Sequence, residues 1–290
     1  MPLFPFSLVM LSAVMHAGWN LQVRQRQDPQ EFVRMLVLVV ALGIGLAVAA
    51  ELLLLPVLAA TWQWILLAGI CQGLYCAGLA FGYRHGDFTL VYPLARALPA
   101  LLLAGFDMWA GHAPSALGWL GLHLVAVGCA LIPLESLRNI SAKTYFNKST
   151  GWTLLIALAT VGYTLADTRA AVQLPTLASL LQYHVFVQVL DVFFFAVLLK
   201  LLREPIQLSF PRGTWFSTLL ASAAMFGGYS LVLWVYQFSP QASYVVALRQ
   251  VSIVLGVAVA AWLFREPAAR WRVAMSALIV ASVICIKFAG

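Results

Sequence analysis

The sequence predicts an all-α integral membrane protein of ten transmembrane helices, arranged as two inverted five-helix repeats. Three observations predict it. Of the 290 residues, 63% are hydrophobic and 9% are charged, against about a quarter charged in ordinary soluble chains. The apolar residues fall in runs near the roughly 20 residues a helix needs to cross the hydrocarbon core. Two arginines, Arg96 and Arg249, lie deep inside such runs, 153 positions apart, although a mid-span arginine costs about 2.5–3.5 kcal/mol on insertion scales.

The runs are 3–23, 32–54, 62–82, 88–109, 116–136, 151–168, 177–201, 214–237, 241–264 and 270–288. Connections are short, so neighbours are expected to be antiparallel. No soluble domain interrupts them. The start, MPLFPF, lacks a basic n-region, so the first run is expected to be retained as a span. The longest polar interval, 135–149, holds Arg138, Lys143 and Lys148. It divides the chain into a first repeat at 1–136, a connecting loop at 137–150 and a second repeat at 151–290.

The two repeats align at that same offset. Trp62 meets Trp215, Tyr83 meets Tyr236, Arg96 meets Arg249 and Pro114 meets Pro267. An offset near 147 places His16 on Tyr163 and Asn20 on Asp167. Five helices per repeat is an odd number, so the second enters the bilayer from the opposite side, an arrangement that sets a binding site near the midplane.

Lys and Arg set the orientation. The odd-numbered connections hold thirteen of them, from Arg24 to Arg272, while the opposite side has Arg169 and Lys287. By the positive-inside rule the odd connections are cytoplasmic and both termini periplasmic. The net charge of +7 therefore points to anionic lipid rather than to nucleic acid.

Cys71, Cys76, Cys129 and Cys285 all fall inside apolar runs without zinc-type spacing, and read as small buried hydrophobes. Gly69-x-x-x-Gly73, Gly78-x-x-x-Gly82 and Gly256-x-x-x-Ala260 read first as helix-packing signals.

Polar residues form stripes. Ser12, His16 and Asn20 share a face of the first span, with Trp19 beside them. His184, Gln188 and Asp191 share a face of the seventh. Tyr163 and Asp167 lie in the sixth, and Gln72, Tyr75, Tyr229 and Trp234 in the third and eighth. Such faces belong inside a bundle. Each group also has a structural use: His16 and Asn20 as helix bridges, Asp191 as a counter-ion, Asp167 as a water-facing group near a span end, and the arginines as caps on helix carbonyl ends. Two arginines against one deep carboxylate leave a surplus positive charge, which favours a carboxylate, phosphate or phosphonate. Pro93 and Pro99 flank Arg96 and predict a bend in the fourth span. Val246 and Ser252 stand at the matching positions of the ninth, so the two repeats are expected to be mechanically unequal, with the fourth span the more mobile. Enzyme readings find no support: there is no H-E-x-x-H, no G-x-S-x-G and no P-loop. No cofactor or metal is expected.

HAGWN in the first span, VYPLARALPALL in the fourth, GYTLADTRA in the sixth and YVVALRQVSIVLGVAVAAWLFREP in the ninth resemble the EamA family of the drug/metabolite transporter superfamily. The resemblance covers nearly the whole chain. It implies a basket in which spans 1–4 and 6–9 surround a central cavity, and ATP-independent movement of amino acids, other small metabolites or drugs, often outward. Carried onto this chain, the cavity helices contain His16, Trp19, Asn20, Tyr92, Arg96, Tyr163, Asp167, His184, Asp191, Tyr244 and Arg249. The family orientation, both ends cytoplasmic, differs from that given by the Lys/Arg bias: the connection at 51–61 has no Lys or Arg. The first-repeat counterpart of R-E-P, at 112–114, lacks the glutamate.

The expected function is secondary transport of a small anionic or zwitterionic metabolite by alternating access, in a bacterial inner membrane. The expected partners are the substrate, the bilayer and, if transport is proton-coupled, a proton. Two alternatives stand beside it: a multidrug or organic-cation exporter that uses Asp191, and a non-transporting membrane scaffold.

Overall fold

Proline and a nearby capping group begin several of the helices. Pro5 stands in the first turn of α1 (Leu3–Arg26), where no amide is needed. α2 (Gln30–Leu53) ends before Pro56. The Glu51 carboxylate then reaches forward and accepts from the amides of Val57 (2.8 Å) and Leu58 (3.1 Å), which satisfies the start of α3 (Leu58–His85). α4 (Phe88–Trp109) is followed by α5 (Ala116–Leu131), whose N-cap Ser115 comes directly after Pro114. α6 (Thr150–Gln173) opens the second half. α7 (Leu177–Leu201) follows Pro175 with a capping box of Thr176 and Ser179. α8 (Trp215–Val235), α9 (Ala242–Leu248), α10 (Val251–Leu263) and α11 (Ala269–Ala289) complete the chain.

The computed structural model describes residues 1–26, 30–85, 88–132, 134, 150–206, 208–209, 213–263 and 269–289, excepting the side chains of 24, 83–85, 88–94, 260–263 and 269. All of the connection expected at 137–150 but its last residue, Pro267 of the pair Pro114–Pro267, and the orienting basic residues Arg138, Lys143, Lys148, Arg212 and Arg265 lie outside the described residues, as do the side chains of Tyr83 and Arg84.

Among the described residues the chain is all-helical. Seven helices are long and apolar enough to cross a membrane: Leu3–Val23, Gln30–Leu53, Leu58–Gly82, Leu177–Leu201, Trp215–Val235, Ala242–Val259 and Arg270–Ala289. Ala116–Leu131 is apolar but shorter. Leu42, Leu46 and Leu52 on α2 are all more than half exposed, which suits hydrocarbon and not water. These features are those of a multi-pass membrane protein.

The helices pack across the two halves. α3 lies on α6 and α7, α1 lies on α8 and α10, α2 on α7 and α8, and α5 on α11. Glycine permits the closest of these approaches. A Cβ on Gly69 would stand 2.4 Å from Leu190 Cβ, and one on Gly73 2.8 Å from Phe194 Cβ, so α3 meets α7 almost backbone to backbone. Among the described residues nothing lies within 4 Å of the same position at Gly256; the close approach expected of it is not made there by any of them.

The bend expected at Pro93 and Pro99 is not where the helix is interrupted. α4 keeps helical backbone from Phe88 to Trp109, whereas the expected ninth span divides into α9 and α10 at Arg249 and Gln250. The cause is a side chain. Gln250 N bonds the Ala247 carbonyl at 3.0 Å, three residues back, while Gln250 Nε2 takes the Val246 carbonyl at 2.9 Å, the one its own amide would use in an α-helix. The same Nε2 donates to the Arg96 carbonyl at 3.0 Å. A polar side chain thus breaks the ninth span and ties the break to α4.

Candidate functional site

A cavity of about 60 Å³ lies among α1, α2, α3, α6, α7, α8 and the α9–α10 junction. Its lining includes His16, Trp19, Tyr163, His184, Asp191 and Arg249. Six of the eleven residues picked from the sequence therefore meet around one space. That is room for a few water molecules, at roughly 15–30 Å³ each. A small-molecule pocket is more often roughly 300–1,000 Å³, so the structure has the cavity in a narrow form.

The two mid-span arginines converge on one imidazole. Arg96 Nη1 lies 2.7 Å from His16 Nε2, and Arg249 Nη2 lies 3.3 Å from His16 Nδ1. A guanidinium only donates, and a neutral imidazole has one accepting nitrogen. The shorter contact assigns acceptance to Nε2 and the proton to Nδ1. Nδ1–H then points at Arg249, donor toward donor. Arg96 Nε donates to Gln250 Oε1 at 3.0 Å, whereas Arg249 Nε has no hydrogen-bond partner among the described residues. Both arginines are buried, Arg249 at 6% exposure.

Arg249 also lies over the Tyr229 ring, 5.5 Å from its centroid. Behind that ring the Tyr229 hydroxyl donates to Asp167 Oδ2, and Tyr183 donates to Asp167 Oδ1 at 2.7 Å. Asp167 is fully buried, six residues inside the end of α6 and shielded from the cavity by two tyrosines. It does not face water, because α6 runs on to Gln173. Tyr163 stands edge-on to both Tyr75 (5.8 Å) and Tyr229 (5.6 Å).

α7 supplies the opposite wall. Its predicted stripe reaches the cavity whole: His184, Gln188 and Asp191 all line it. His184 stacks on Phe226, centroids 4.3 Å apart and nearly parallel. Ser230 Oγ gives its one proton to the Phe226 carbonyl, so His184 Nδ1 donates to Ser230 at 2.9 Å and Nε2 keeps a lone pair. Gln188 Nε2 donates to Gln72 Oε1 at 2.9 Å. Asp191 Oδ2 accepts weakly from Cys76 Sγ at 3.9 Å. Among the described residues Gln188 Oε1 and Asp191 Oδ1 have no partner.

The remaining predicted residues stand elsewhere. Asn20 is buried and donates to the His16 carbonyl at 2.8 Å, bonding within its own helix. Tyr244 packs at the start of α9, where its hydroxyl accepts from Ser115 N at 3.1 Å. The side chain of Tyr92 lies outside the described residues. Two polar contributors went unread in the sequence, beside the apolar lining residues Phe32, Leu36, Met225 and Phe226. Gln250 carries no signal beyond following Arg249. Cys76, taken as a small hydrophobe, lines the cavity; its place four residues after Gln72, on the same face of α3, could have marked it.

A helical bundle with seven apolar spans among the described residues, enclosing a small cavity with polar groups in its wall, defines a multi-pass membrane protein. No family model matches the chain, and no curated protein matches it. Among solved structures, one described as "Crystal structure of protein" is similar over 100% of this chain and 98% of that one, with TM-score 0.66 and 15% identity. It shares the fold.

Proposed function

We propose that the chain is an EamA-type member of the drug/metabolite transporter superfamily: a secondary carrier, not an enzyme, that moves a small zwitterionic metabolite through the cavity by alternating access. The finer architecture belongs to the same proposal. Ten spans form two inverted five-helix repeats in a bacterial inner membrane, with odd connections cytoplasmic. The helix contacts support a two-fold relation. Exchanging α1 with α6, α2 with α7, α3 with α8, α4 with α9–α10 and α5 with α11 carries the α3–α6 contact onto α8–α1, and the α4–α5 contact onto α10–α11.

One observation carries the substrate class. The cavity-lining residues leave a buried donor without a partner on one side, Arg249 Nε, and buried acceptors without partners on the other, Asp191 Oδ1 and Gln188 Oε1. A buried polar atom left unsatisfied costs about 1–3 kcal/mol, more when charged. A ligand with an anionic end at Arg249 and an ammonium end at Asp191 satisfies all three. The aromatic faces of Tyr75, Tyr163, Phe226 and Tyr229 suit the part between.

Ligand-dependent thermal stabilisation of the purified protein tests this. A matched set of a zwitterion, its amide (cation only) and its N-acylated form (anion only) separates the ends. The fitting zwitterion is expected to stabilise by about 2.7 kcal/mol at a hundred times its Kd, and both single-charge analogues by less. Asp191→Asn should erase the zwitterion's advantage over its anionic analogue. The organic-cation reading draws on the open Asp191 oxygen alone, and predicts instead that the amide stabilises best and that Arg249→Ala leaves its effect intact. A scaffold gives no stabilisation by any member of the set.

A further inference from the structure

The cavity is shut on one side by an apolar step and, beyond it, a polar knot. Trp19 and Phe32 line the cavity and meet edge to face, centroids 6.2 Å apart. Past them, at the α1–α2 end, Glu31 is fully buried and collects four donors from three helix segments. Arg26 Nη1 reaches both of its oxygens at 2.7 Å, Arg34 Nη1 reaches Oε2 at 3.2 Å, Gln22 Nε2 reaches Oε1 at 3.1 Å, and Thr218 Oγ1 donates to Oε1 at 2.7 Å.

The knot joins separate elements. Arg26 also bonds Thr218 Oγ1 at 2.9 Å and Ser217 Oγ at 2.5 Å, both at the start of α8. Arg34 Nε donates to the Ser209 carbonyl at 2.9 Å, and Gln30 Nε2 to the Pro205 carbonyl at 2.5 Å, in the connection ahead of α8. Register confirms the layering. Seven residues separate Trp19 from Arg26 on α1, and seven separate Thr218 from the cavity residue Met225 on α8. Each is two turns, about 10 Å.

The opposite end is held differently. There the carboxylates cap helix amides: Asp107 accepts from Ala242 N (3.2 Å) and Ser243 N (2.9 Å), and Glu51 from Val57 N and Leu58 N. Removing such a cap unravels a helix start. Glu31 instead bonds side chains alone among the described residues, so its removal takes no cap from a helix start.

Resting on the carrier reading for its purpose, we propose that Glu31 is the hub of a gate: its bonds to Arg26 and Thr218 hold α1 and α2 against α8, and their release opens the cavity on that face alone. Opening then requires parting Trp19 from Phe32 within the apolar cluster that they share with Val23 and Leu36.

Cys76, already in the cavity wall, reports the event. In a Cys71→Ala, Cys129→Ala, Cys285→Ala background it is the one thiol left. Its alkylation by a membrane-impermeant maleimide is measured in vesicles of each orientation. Glu31→Gln is expected to speed labelling at least tenfold from the face bearing the α1–α2 turn and to leave the other face at the starting rate. Thr218→Val, which removes one hydroxyl and no charge, should give a several-fold rise from the same face. Unchanged rates in both variants overturn the gate, as does an equal rise from both faces, which is general loosening. Substrate flux is read in parallel. A one-sided rise without flux in the wild type keeps the gate and removes the carrier reading; flux with unchanged labelling does the reverse.

Discussion

Arg249→Ala is expected to lower zwitterion binding and transport roughly 10- to 150-fold while membrane insertion stays normal. The loss follows from a charge-assisted hydrogen bond worth about 1.5–3 kcal/mol, at 1.4 kcal/mol per decade. What separates this from a structural arginine is the sign of the stability change. Arg249 has no ion pair among the described residues, faces the protonated nitrogen of His16, and leaves Nε without a partner. Removing it eliminates an insertion cost of about 2.5–3.5 kcal/mol. The ligand-free variant should therefore melt no lower than wild type. Arg249→Lys should not restore binding, because an ammonium has neither the planar fork for an oxyanion nor the flat face that lies over Tyr229.

Arg96 should behave differently, although the sequence makes the two arginines equivalent. It donates to Gln250 and to His16, and its carbonyl accepts from Gln250. Arg96→Ala is therefore expected to lower both binding and melting temperature, since it takes from Gln250 Oε1, beside the break between α9 and α10, and from His16 Nε2 the donor that Arg96 supplies.

The second large effect is one of packing. Gly69→Val and Gly73→Val should each destabilise the protein by about 1–3 kcal/mol, as overpacking does, because Leu190 Cβ and Phe194 Cβ occupy the space a side chain needs. Those atoms are rooted in the α7 backbone and cannot swing away as a side-chain tip would. α7 would have to retreat, taking His184, Gln188 and Asp191 with it, so binding should fall together with stability. Gly45→Ala is the control. No atom lies within 4 Å of its added Cβ, and the helix should gain up to about 1 kcal/mol from the lost backbone freedom. Thermal melting in detergent, followed by tryptophan fluorescence, reads all three.

Periodicity made the walls of the site legible. His184, Gln188 and Asp191 recur at helical spacing in an otherwise apolar run, and hydrocarbon leaves such a face one direction to turn. The same reasoning found His16, Trp19 and Tyr163. It failed for Asn20, which bonds the His16 carbonyl of its own helix, and the family resemblance, which alone offered Tyr244, placed that residue no better: its hydroxyl bonds Ser115 N. Spacing gives a face and not the partner on it. Proline was a poor guide to the interrupted helix: α4 absorbs Pro93 and Pro99, and the break follows a glutamine whose amide reaches the Val246 carbonyl first. The meeting of two guanidinium groups on His16 depends on three helices docking across 233 positions of chain, and no local pattern records it.

Counterflow in proteoliposomes bears on the central claim most directly. Vesicles loaded with the zwitterion that best stabilises the protein are given a trace of the same compound, labelled, outside. The account predicts transient labelled uptake above equilibrium, abolished by Arg249→Ala and by Asp191→Asn, and not driven by the amide or the N-acylated analogue inside. Uptake that persists unchanged in both variants, or counterflow driven equally well by either single-charge analogue, would contradict it.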